Sequence, residues 1–165
     1  MRRGIGKEIT EFIVQMADEH KVSILVAKLK KCGSDVTIFM PVIIQNPENV
    51  EIGNQVSIAP FVHMWGLGGI KLGDRVMIAS HCAITSLSHD YAQENMRMTQ
   101  TRGEIHIGDD VWIGAHSVVM PGVTIGRGAV IGAGSIVTHD IAPYTIAFGM
   151  PARRYKKRLT SKKQK

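Results

Sequence analysis

Residues 107–142 decide the fold: read in blocks of six, they are IGDDVW, IGAHSV, VMPGVT, IGRGAV, IGAGSI and VTHDIA. The first position of every block is Ile or Val, and the fifth position is a small or aliphatic residue. A strand repeats every two residues and a helix every 3.6, so neither element alone explains this period. The period fits a chain that turns after each short strand, so that three blocks complete one triangular coil whose first residues all point to the axis.

The same repeat extends towards the N-terminus. Its first positions lie six apart, except where two-residue insertions fall within 46–49 and 65–69: Ile38, Ile44, Ile52, Ile58, Met64, Leu72, Ile78 and Ile84. With the six blocks above there are 14, which make between four and five coils. The sequence therefore predicts an all-β domain, a parallel β-helix over residues 36–152. Such a prism leaves flat outer faces, which are normally completed by other copies of the chain.

Residues 1–35 show a helical pattern instead. Apolar residues recur at helical spacing in two groups, and the polar run Asp18-Glu19-His20 separates them: Ile9, Phe12, Ile13 and Met16, then Val22, Leu25, Val26 and Leu29. Gly33 is a natural helix stop. We therefore predict a short N-terminal helical segment of two helices that ends near Gly33.

One gap in the repeat is too long to be a corner. Ile84 and Ile107 are separated by residues 86–104, which are polar and lack the six-residue pattern. A long connection that leaves a repetitive scaffold commonly carries functional residues. We therefore predict an excursion loop over residues 86–104 that carries part of a functional site.

The net charge of +6 is concentrated at the C-terminus. Residues 153–165 contain eight Lys or Arg and no acidic residue, whereas residues 1–152 contain 12 basic and 14 acidic residues. We interpret residues 153–165 as a basic C-terminal tail. The chain has two Cys residues, and it shows neither a signal-like segment nor an apolar stretch long enough to span a bilayer. These features predict a cytoplasmic protein with reduced thiols and no integral membrane segment.

Several stretches resemble a known family. They are His89 at the end of a coil, IGDDVWIG at 107–114, MPGVTIG at 120–126, IGAGSIVT at 131–138 and GMPAR at 149–153. Over roughly residues 36–155 the chain closely resembles the hexapeptide-repeat acetyltransferases, above all the sugar and polysaccharide O-acetyltransferases of the galactoside and maltose type. The resemblance implies a left-handed β-helix and a homotrimer with active sites between subunits. It also implies metal-free transfer of an acetyl group from acetyl-CoA to a hydroxyl of a sugar or glycan precursor.

The resemblance assigns the catalytic residues. His89 would be the general base, because a neutral imidazole can take the proton of an alcohol that is a poor nucleophile at pH 7. Glu94, Asp90 or a backbone carbonyl would hold the second ring nitrogen, and Glu94 lies where related sugar acetyltransferases also have a glutamate. The backbone N–H of Ala115 would stabilise the oxyanion.

The resemblance also implies binding residues. The coenzyme would contact mainly small residues along a groove between prisms, together with a cation for its phosphates. These candidate contacts are Ala115, Ala133, Thr138, His139 and Arg153, with Trp112 lining the same channel. On the acceptor side, His63 and Trp65 offer a polar edge and a stacking face for a sugar.

The residues leave other functions open. Within the same fold, the chain could be a serine acetyltransferase or another small-molecule O- or N-acyltransferase. A zinc enzyme resembling the gamma-class carbonic anhydrases would use His81 and His116, but Pro121 stands where a third ligand is needed. The basic tail suggests a noncatalytic scaffold or a nucleic-acid binder. It lacks an element that would recognise bases, so we expect no nucleic-acid partner.

Overall fold

The N-terminal segment is one helix rather than two. The computed structural model describes the backbone of residues 2–159 and the side chains of residues 7–159, and helix α1 runs unbroken over Arg2–Val26. The prediction of a break at Asp18-Glu19-His20 is wrong. Lys21 contacts Asp18 at 2.9 Å, and Gln15 donates to Glu19 at 2.9 Å. Such contacts between successive turns stabilise a helix through a polar stretch.

Gly33 is not the helix stop. Helix α1 ends at Val26, and Gly33 lies in the first coil, where an added Cβ would approach the backbone of Gly53 to 2.6 Å. Its role is to let neighbouring coils come close at a corner. The sequence predicted a helix stop at Gly33 because this glycine follows directly after the helical pattern.

The remainder of the chain winds into a triangular parallel β-solenoid with three sheets. The first sheet contains β1 (Lys31–Cys32), β4 (Val50–Ile52), β7 (Ile70–Leu72), β12 (Ile105–Ile107) and β15 (Thr124–Ile125). The second contains β2 (Thr37–Ile38), β5 (Ser57–Ile58), β8 (Met77–Ile78), β13 (Trp112–Ile113), β16 (Val130–Ile131), β18 (Thr145–Gly149) and β19 (Ala152–Lys157). The third contains β3 (Ile43–Gln45), β6 (His63–Trp65), β9 (Ala83–Thr85), β14 (Val118–Val119) and β17 (Ile136–Val137).

The predicted inward positions are confirmed. All 14 first-position residues are at most 8% exposed, and so are the fifth-position residues of the six blocks from 107 to 142. Each buried aliphatic side chain contributes about 1.5–3 kcal/mol of transfer free energy. A column of such side chains along the axis therefore supplies the core of the domain.

The solenoid is longer than the predicted four to five coils. It has five full coils and two sides of a sixth. At the start, Cys32 pairs with Ile52 six residues before Ile38. At the end, Ile141 bridges to Ile125 and Ala147 pairs with Ile131. The strand at the start was missed because its inward residue is a cysteine and not an aliphatic residue. The strands at the end were missed because Ile141 follows Val137 by four residues instead of six.

The departures from the six-residue period lie at one corner, between the third sheet and the first. Residues 46–49 form this corner with a 3-10 turn at Pro47–Asn49, and residues 66–69 form it in the next coil. In the third coil the chain leaves the solenoid as an antiparallel hairpin of β10 (Leu87–His89) and β11 (Gln100–Arg102). A 3-10 turn at Met96–Met98 closes the hairpin tip. The excursion is thus an ordered hairpin.

Polar ladders hold another corner, between the first and second sheets. Asp110 contacts Arg75 at 2.6 Å and Arg127 at 3.2 Å on neighbouring coils. The hydrogen bond from Arg75, with the further contact from Arg127, lowers the pKa of the Asp110 carboxyl. Asp74 accepts a backbone hydrogen bond from Asn54 at 2.8 Å. These contacts fix one coil on the next where the chain turns.

The first part of the predicted basic tail is a strand. β19 pairs antiparallel with β18, and Arg158 donates hydrogen bonds to the backbone carbonyls of Asp110 and Gly128 at 3.2 and 2.9 Å. The cations within 160–165 lie outside the described residues. Within residues 2–159, no helix is long and apolar enough to cross a bilayer.

Two neighbours on β15 test the inward and outward pattern. Ile125 is fully buried, whereas Thr124 is exposed. We expect Ile125→Ala to lower the free energy of unfolding by about 2–5 kcal/mol, because it leaves a cavity on the axis. Thr124→Ala should change it by less than about 0.5 kcal/mol. Urea unfolding followed by circular dichroism measures both, and equal losses would contradict the assignment of the axis.

Candidate functional site

His89 lies at the end of β10, on the hairpin that leaves the solenoid. It pairs with Gln100 on β11, and its side chain is exposed in the single chain. Its Nδ1 lies 2.7 Å from the carbonyl oxygen of Met96 and 3.2 Å from that of Thr99. The 3-10 turn of the hairpin tip therefore folds back onto the ring and fixes its orientation.

These two contacts determine the tautomer of a neutral His89. A carbonyl oxygen only accepts hydrogen bonds, so Nδ1 must carry the proton and donate it. The lone pair of the neutral ring is then on Nε2. The geometry therefore offers Nε2 as a proton acceptor.

The three candidates for holding the ring have different places in the structure. A backbone carbonyl, that of Met96, takes this role. Asp90 accepts from the backbone N–H of Ala92 at 3.0 Å and from Gln93 at 3.1 Å, so it shapes the hairpin. Glu94 is exposed, and no hydrogen bond links it to His89 within the described hairpin. Glu94 as the partner of Nδ1 is thus not what the structure shows, and a catalytic role for Glu94 stays a prediction.

A cavity of about 470 Å³ opens beside His89. Its walls come from the hairpin and from the corner between the third and first sheets: Ser88, His89, Asp90, Tyr91, Ala92, Thr101, Met120, Pro121 and Thr138. The cavity brings His89 together with Thr138, one of the predicted coenzyme contacts. Thr138 and its neighbour His139 also contact each other, with Oγ1 and Nδ1 2.8 Å apart.

The other predicted coenzyme contacts lie elsewhere. Ala115 and Ala133 stack on successive coils at the corner between the second and third sheets, where the N–H of Gly134 donates to the Ala115 carbonyl at 2.8 Å. A Cβ added to Gly134 would meet no atom within 4 Å. This corner is therefore an open surface that a ligand can approach closely.

Trp112 and Arg153 lie on the second sheet. Trp112 is level with Met77 and Val130 and is 47% exposed. Arg153 pairs with Phe148 on the β18–β19 hairpin and is exposed. The sheet thus offers an apolar outer face that ends in a row of cations.

His63 and Trp65 form a stacked pair on the outer face of the third sheet. Their ring centroids are 3.6 Å apart with an interplanar angle of 21°. Nε2 of His63 is buried and has no hydrogen-bond partner within the described chain, and burial lowers the pKa of His63. The expectation that His63 offers a polar edge is therefore wrong for Nε2, because that atom is buried. His63 instead supports Trp65.

The two histidines considered for zinc form an aromatic ladder. His81 stacks on His116 with centroids 4.7 Å apart, and Phe61 stacks on His81 at 4.8 Å. Across residues 2–159, no cluster of three or more potential metal ligands occurs. The geometry therefore gives no support to a zinc enzyme.

Sequence reasoning missed the carbonyl groups of Met96 and Thr99. Their role comes from the backbone of a hairpin, so no side chain signals it. It also missed Met120 and Pro121 as cavity walls, although both belong to the stretch MPGVTIG. The fold makes these residues part of the site because it places this corner beside the hairpin.

Comparisons with known proteins agree with this geometry. The family described as bacterial transferase hexapeptide (six repeats) matches residues 104–139. The galactoside O-acetyltransferase of Escherichia coli K12 is 34% identical over 140 residues, which are 82% of this chain and 67% of that protein.

Solved structures show the same similarity. A hexapeptide-repeat acetyltransferase of Vibrio cholerae in complex with acetyl coenzyme A has a TM-score of 0.81 and 28% identity, with 87% of this chain and 79% of that chain covered. A maltose O-acetyltransferase of Clostridium difficile has a TM-score of 0.80 and 31% identity, with 86% and 76% covered. The six-residue repeat, the histidine on the hairpin and the similarity to these relatives agree. The chain belongs to the hexapeptide-repeat acetyltransferases.

Proposed function

We propose that this chain transfers an acetyl group from acetyl-CoA to a hydroxyl of a sugar or glycan precursor, with His89 as the general base. The observation that carries the proposal is the fixed ring of His89 in the wall of a cavity. Its Nδ1–H is held by the Met96 carbonyl, which leaves the Nε2 lone pair to take a proton. A base that is oriented before substrate binds loses no further freedom in the reaction.

The proton and bond changes follow from this geometry. Nε2 of His89 accepts the acceptor's hydroxyl proton while the hydroxyl oxygen attacks the thioester carbonyl carbon, so that a C–O bond forms. The C–S bond then breaks, and the imidazolium returns the proton to the departing thiolate sulfur. The Met96 carbonyl stabilises the charged ring through the Nδ1–H hydrogen bond. The N–H of Ala115 would donate to the developing oxyanion.

The surface around Ala115 fits a coenzyme. Ala133 and the open space at Gly134 allow a narrow pantetheine arm to approach the backbone. The exposed Trp112 adds an apolar wall, and Arg153 provides a fork of donors that suits phosphate. Acetyl-CoA supplies the activated acyl group when it is bound there.

The site is completed between copies of the chain. The cavity of His89 is at the corner between the third and first sheets, whereas Ala115 is at the opposite edge of the third sheet. A base and an oxyanion donor must both come within about 3 Å of one acyl group. In one copy they face different corners, so we infer a homotrimer in which His89 of one copy works with Ala115 of the next.

An acceptor platform lies on the third sheet. Trp65 pairs with Thr85, and the same outward-facing column continues to Met120 and Thr138 in the cavity wall. Strands lie about 4.8 Å apart, so Trp65 is about 10 Å from Met120. The apolar face of a sugar ring can stack on Trp65. His63 beneath it holds the indole in place.

The catalytic role of His89 is tested by substitution with asparagine. Replacement of His89 should lower kcat by about 10²- to 10⁴-fold, because the base is lost. The matched control is His106→Asn on the outer face of the first sheet, where His106 contacts Glu104 at 2.8 Å. Thiol release from acetyl-CoA with a panel of sugars and amino sugars measures both variants. An undiminished rate in His89→Asn would refute the assignment, and acylation confined to amines would refute the hydroxyl acceptor.

The two tryptophans of the chain allow acceptor and coenzyme sites to be separated. Trp65→Ala should raise KM for the sugar acceptor about 2- to 12-fold, the equivalent of one lost aromatic contact, and leave KM for acetyl-CoA unchanged. Trp112→Ala should show the reverse pattern. Initial rates with each substrate varied in turn give both constants. A rise in the acetyl-CoA constant of Trp65→Ala would remove Trp65 from the acceptor site.

His63 predicts a pH dependence of stability. Its pKa is lowered by burial in the folded chain, whereas the unfolded imidazole titrates near its ordinary value of about 6.5. The unfolded state therefore binds more protons below that value, and stability falls as the pH drops through it. His63→Phe keeps a ring against Trp65, so the variant should lose less stability than the wild type between about pH 7.5 and about pH 5.5. Urea unfolding at both pH values measures the difference, and equal losses would show that His63 does not titrate in this way.

A further inference from the structure

A column of short buried side chains backs the corner between the second and third sheets, where Ala115 and Ala133 lie. The column has one residue in each coil, at the fifth place of a six-residue block, and every member is at most 6% exposed: Val42, Val62, Cys82, Ser117 and Ser135. The first two members are valines, whereas the next three carry a polar hydrogen. The change to polar residues begins in the coil that precedes Ala115.

Cys82 donates a hydrogen bond to the backbone of the next coil. Its Sγ lies 3.2 Å from the carbonyl oxygen of Gly114, and both residues are buried. Burial raises the pKa of the Cys82 thiol, so the thiol stays protonated and keeps the hydrogen that it donates. Valine fits the same place in two coils, so packing alone does not require a polar side chain here. The hydrogen bond to Gly114 is what distinguishes cysteine from valine at this position.

The following coil repeats this arrangement with serine. Ser117 Oγ lies 3.1 Å from the carbonyl oxygen of Gly132, and Ser135 Oγ contacts the same oxygen. Gly132 directly precedes Ala133, which belongs to the proposed coenzyme surface. Twice in succession, a buried donor of one coil therefore holds the corner carbonyl of the next coil.

A carbonyl that is held in this way fixes the direction of the neighbouring N–H. In a planar trans peptide the C=O and N–H bonds point to opposite sides. Because the Gly114 carbonyl points inwards to Cys82, the N–H of Ala115 points outwards. Within the described chain this N–H has no hydrogen-bond partner. The Ala115 N–H is therefore available to a group that binds on the surface of the corner.

The hydrogen bond to the carbonyl also makes the N–H a stronger donor. Hydrogen bonds that follow one another in a chain polarise one another, so a donor at the carbonyl leaves the hydrogen on the nitrogen more positive. An oxyanion accepts a hydrogen bond more strongly than the thioester carbonyl from which it forms. A stronger donor therefore stabilises the transition state more than the bound substrate, and this difference raises kcat.

We propose that Cys82 is a positioning residue, which acts through the peptide group between Gly114 and Ala115 to aim and strengthen the oxyanion donor. The inference rests on the proposed function, in which the Ala115 N–H meets the developing oxyanion. Cys82 is 1% exposed, so it touches neither the acceptor nor the coenzyme. A role as nucleophile is disfavoured, because a buried, protonated thiol is unreactive.

Matched substitutions of Cys82 separate hydrogen bonding from packing. Ser117 shows that serine at this place reaches the next carbonyl, so Cys82→Ser keeps a donor, whereas Cys82→Ala has nearly the same volume and none. We expect kcat of Cys82→Ala to be about 3- to 10-fold below that of Cys82→Ser, the equivalent of one net hydrogen bond, with KM for acetyl-CoA unchanged. Thiol release at varied acetyl-CoA concentration measures both constants. Equal kcat in the two variants, or a difference confined to KM, would overturn the proposal.

Val76 provides the control for a loss of stability. It is fully buried and takes the fifth place of the preceding block, at the corner between the first and second sheets. Val76→Ala leaves a cavity in the same coil as Cys82 but removes no hydrogen bond to the corner of Ala115. Its kcat should equal that of the parent enzyme. A loss of kcat as large as that of Cys82→Ala would attribute the effect to packing and overturn the proposal.

An NMR measurement tests the hydrogen bond without acetyl transfer. The chain contains three Gly-Ala pairs, at 114–115, 128–129 and 132–133. Labelling of the glycine carbonyls with ¹³C and of alanine with ¹⁵N therefore selects three backbone signals. We expect Cys82→Ala to shift the Ala115 proton and the Gly114 carbon upfield, because both lose polarisation, and Cys82→Ser to shift them less. Ala129, whose N–H forms a hydrogen bond at another corner, is the internal control. An unshifted Ala115 signal, or equal shifts of Ala115 and Ala129, would overturn the proposal.

The two readouts distinguish this inference from the proposed function. If the parent enzyme releases no thiol from acetyl-CoA with any hydroxyl acceptor, the proposed function is wrong, and the oxyanion role of Cys82 is wrong with it, whatever the spectra show. If the parent enzyme is active and Cys82→Ala matches Cys82→Ser in both readouts, only the role of Cys82 is wrong.

Discussion

The structure depends on one aliphatic side chain directed to the axis every six residues. Because a strand alternates its side chains, the neighbours of each inward residue must face outwards or form a corner. Ile113 and Ile131 thus bury the axis, while Trp112 and Val130 beside them form the outer face. The same spacing that builds the core also aligns outward residues in columns. The proposed acceptor column and the proposed coenzyme surface are consequences of this alignment.

Insertions are tolerated where they leave the axis intact. A slip within a strand would turn every inward residue outwards, whereas extra residues at a corner leave later coils in register. Ile107 still pairs with Leu72 after the long excursion, as Leu72 pairs with Ile52 after a short one. The hairpin of His89 is the largest of these corner insertions. The hairpin could therefore be added to the scaffold without any cost to the core.

The sequence predicted the features that the six-residue period controls, and few others. The inward residues and the position of the excursion follow from spacing alone, and His89 follows from family resemblance. The orientation of His89 could not be predicted, because it depends on the carbonyls of Met96 and Thr99 at a turn that no side chain specifies. The continuity of α1 was missed because its polar middle was interpreted without the Lys21–Asp18 contact. The periodicity of side chains shows which face of an element is buried. It carries no information on which backbone groups will form hydrogen bonds with a side chain.

The outer faces differ in a way that bears on function. The first sheet is charged, since Lys71 and His106 both contact Glu104 there. The second sheet is apolar around Trp112 and ends in the cations of β19, which the hydrogen bonds of Arg158 hold in place. The cations of the second sheet thus lie on an ordered strand. An apolar face with fixed cations at one end suits a ligand with an apolar arm and an anionic end better than a uniformly charged polymer, because a polymer would need cations along its whole path.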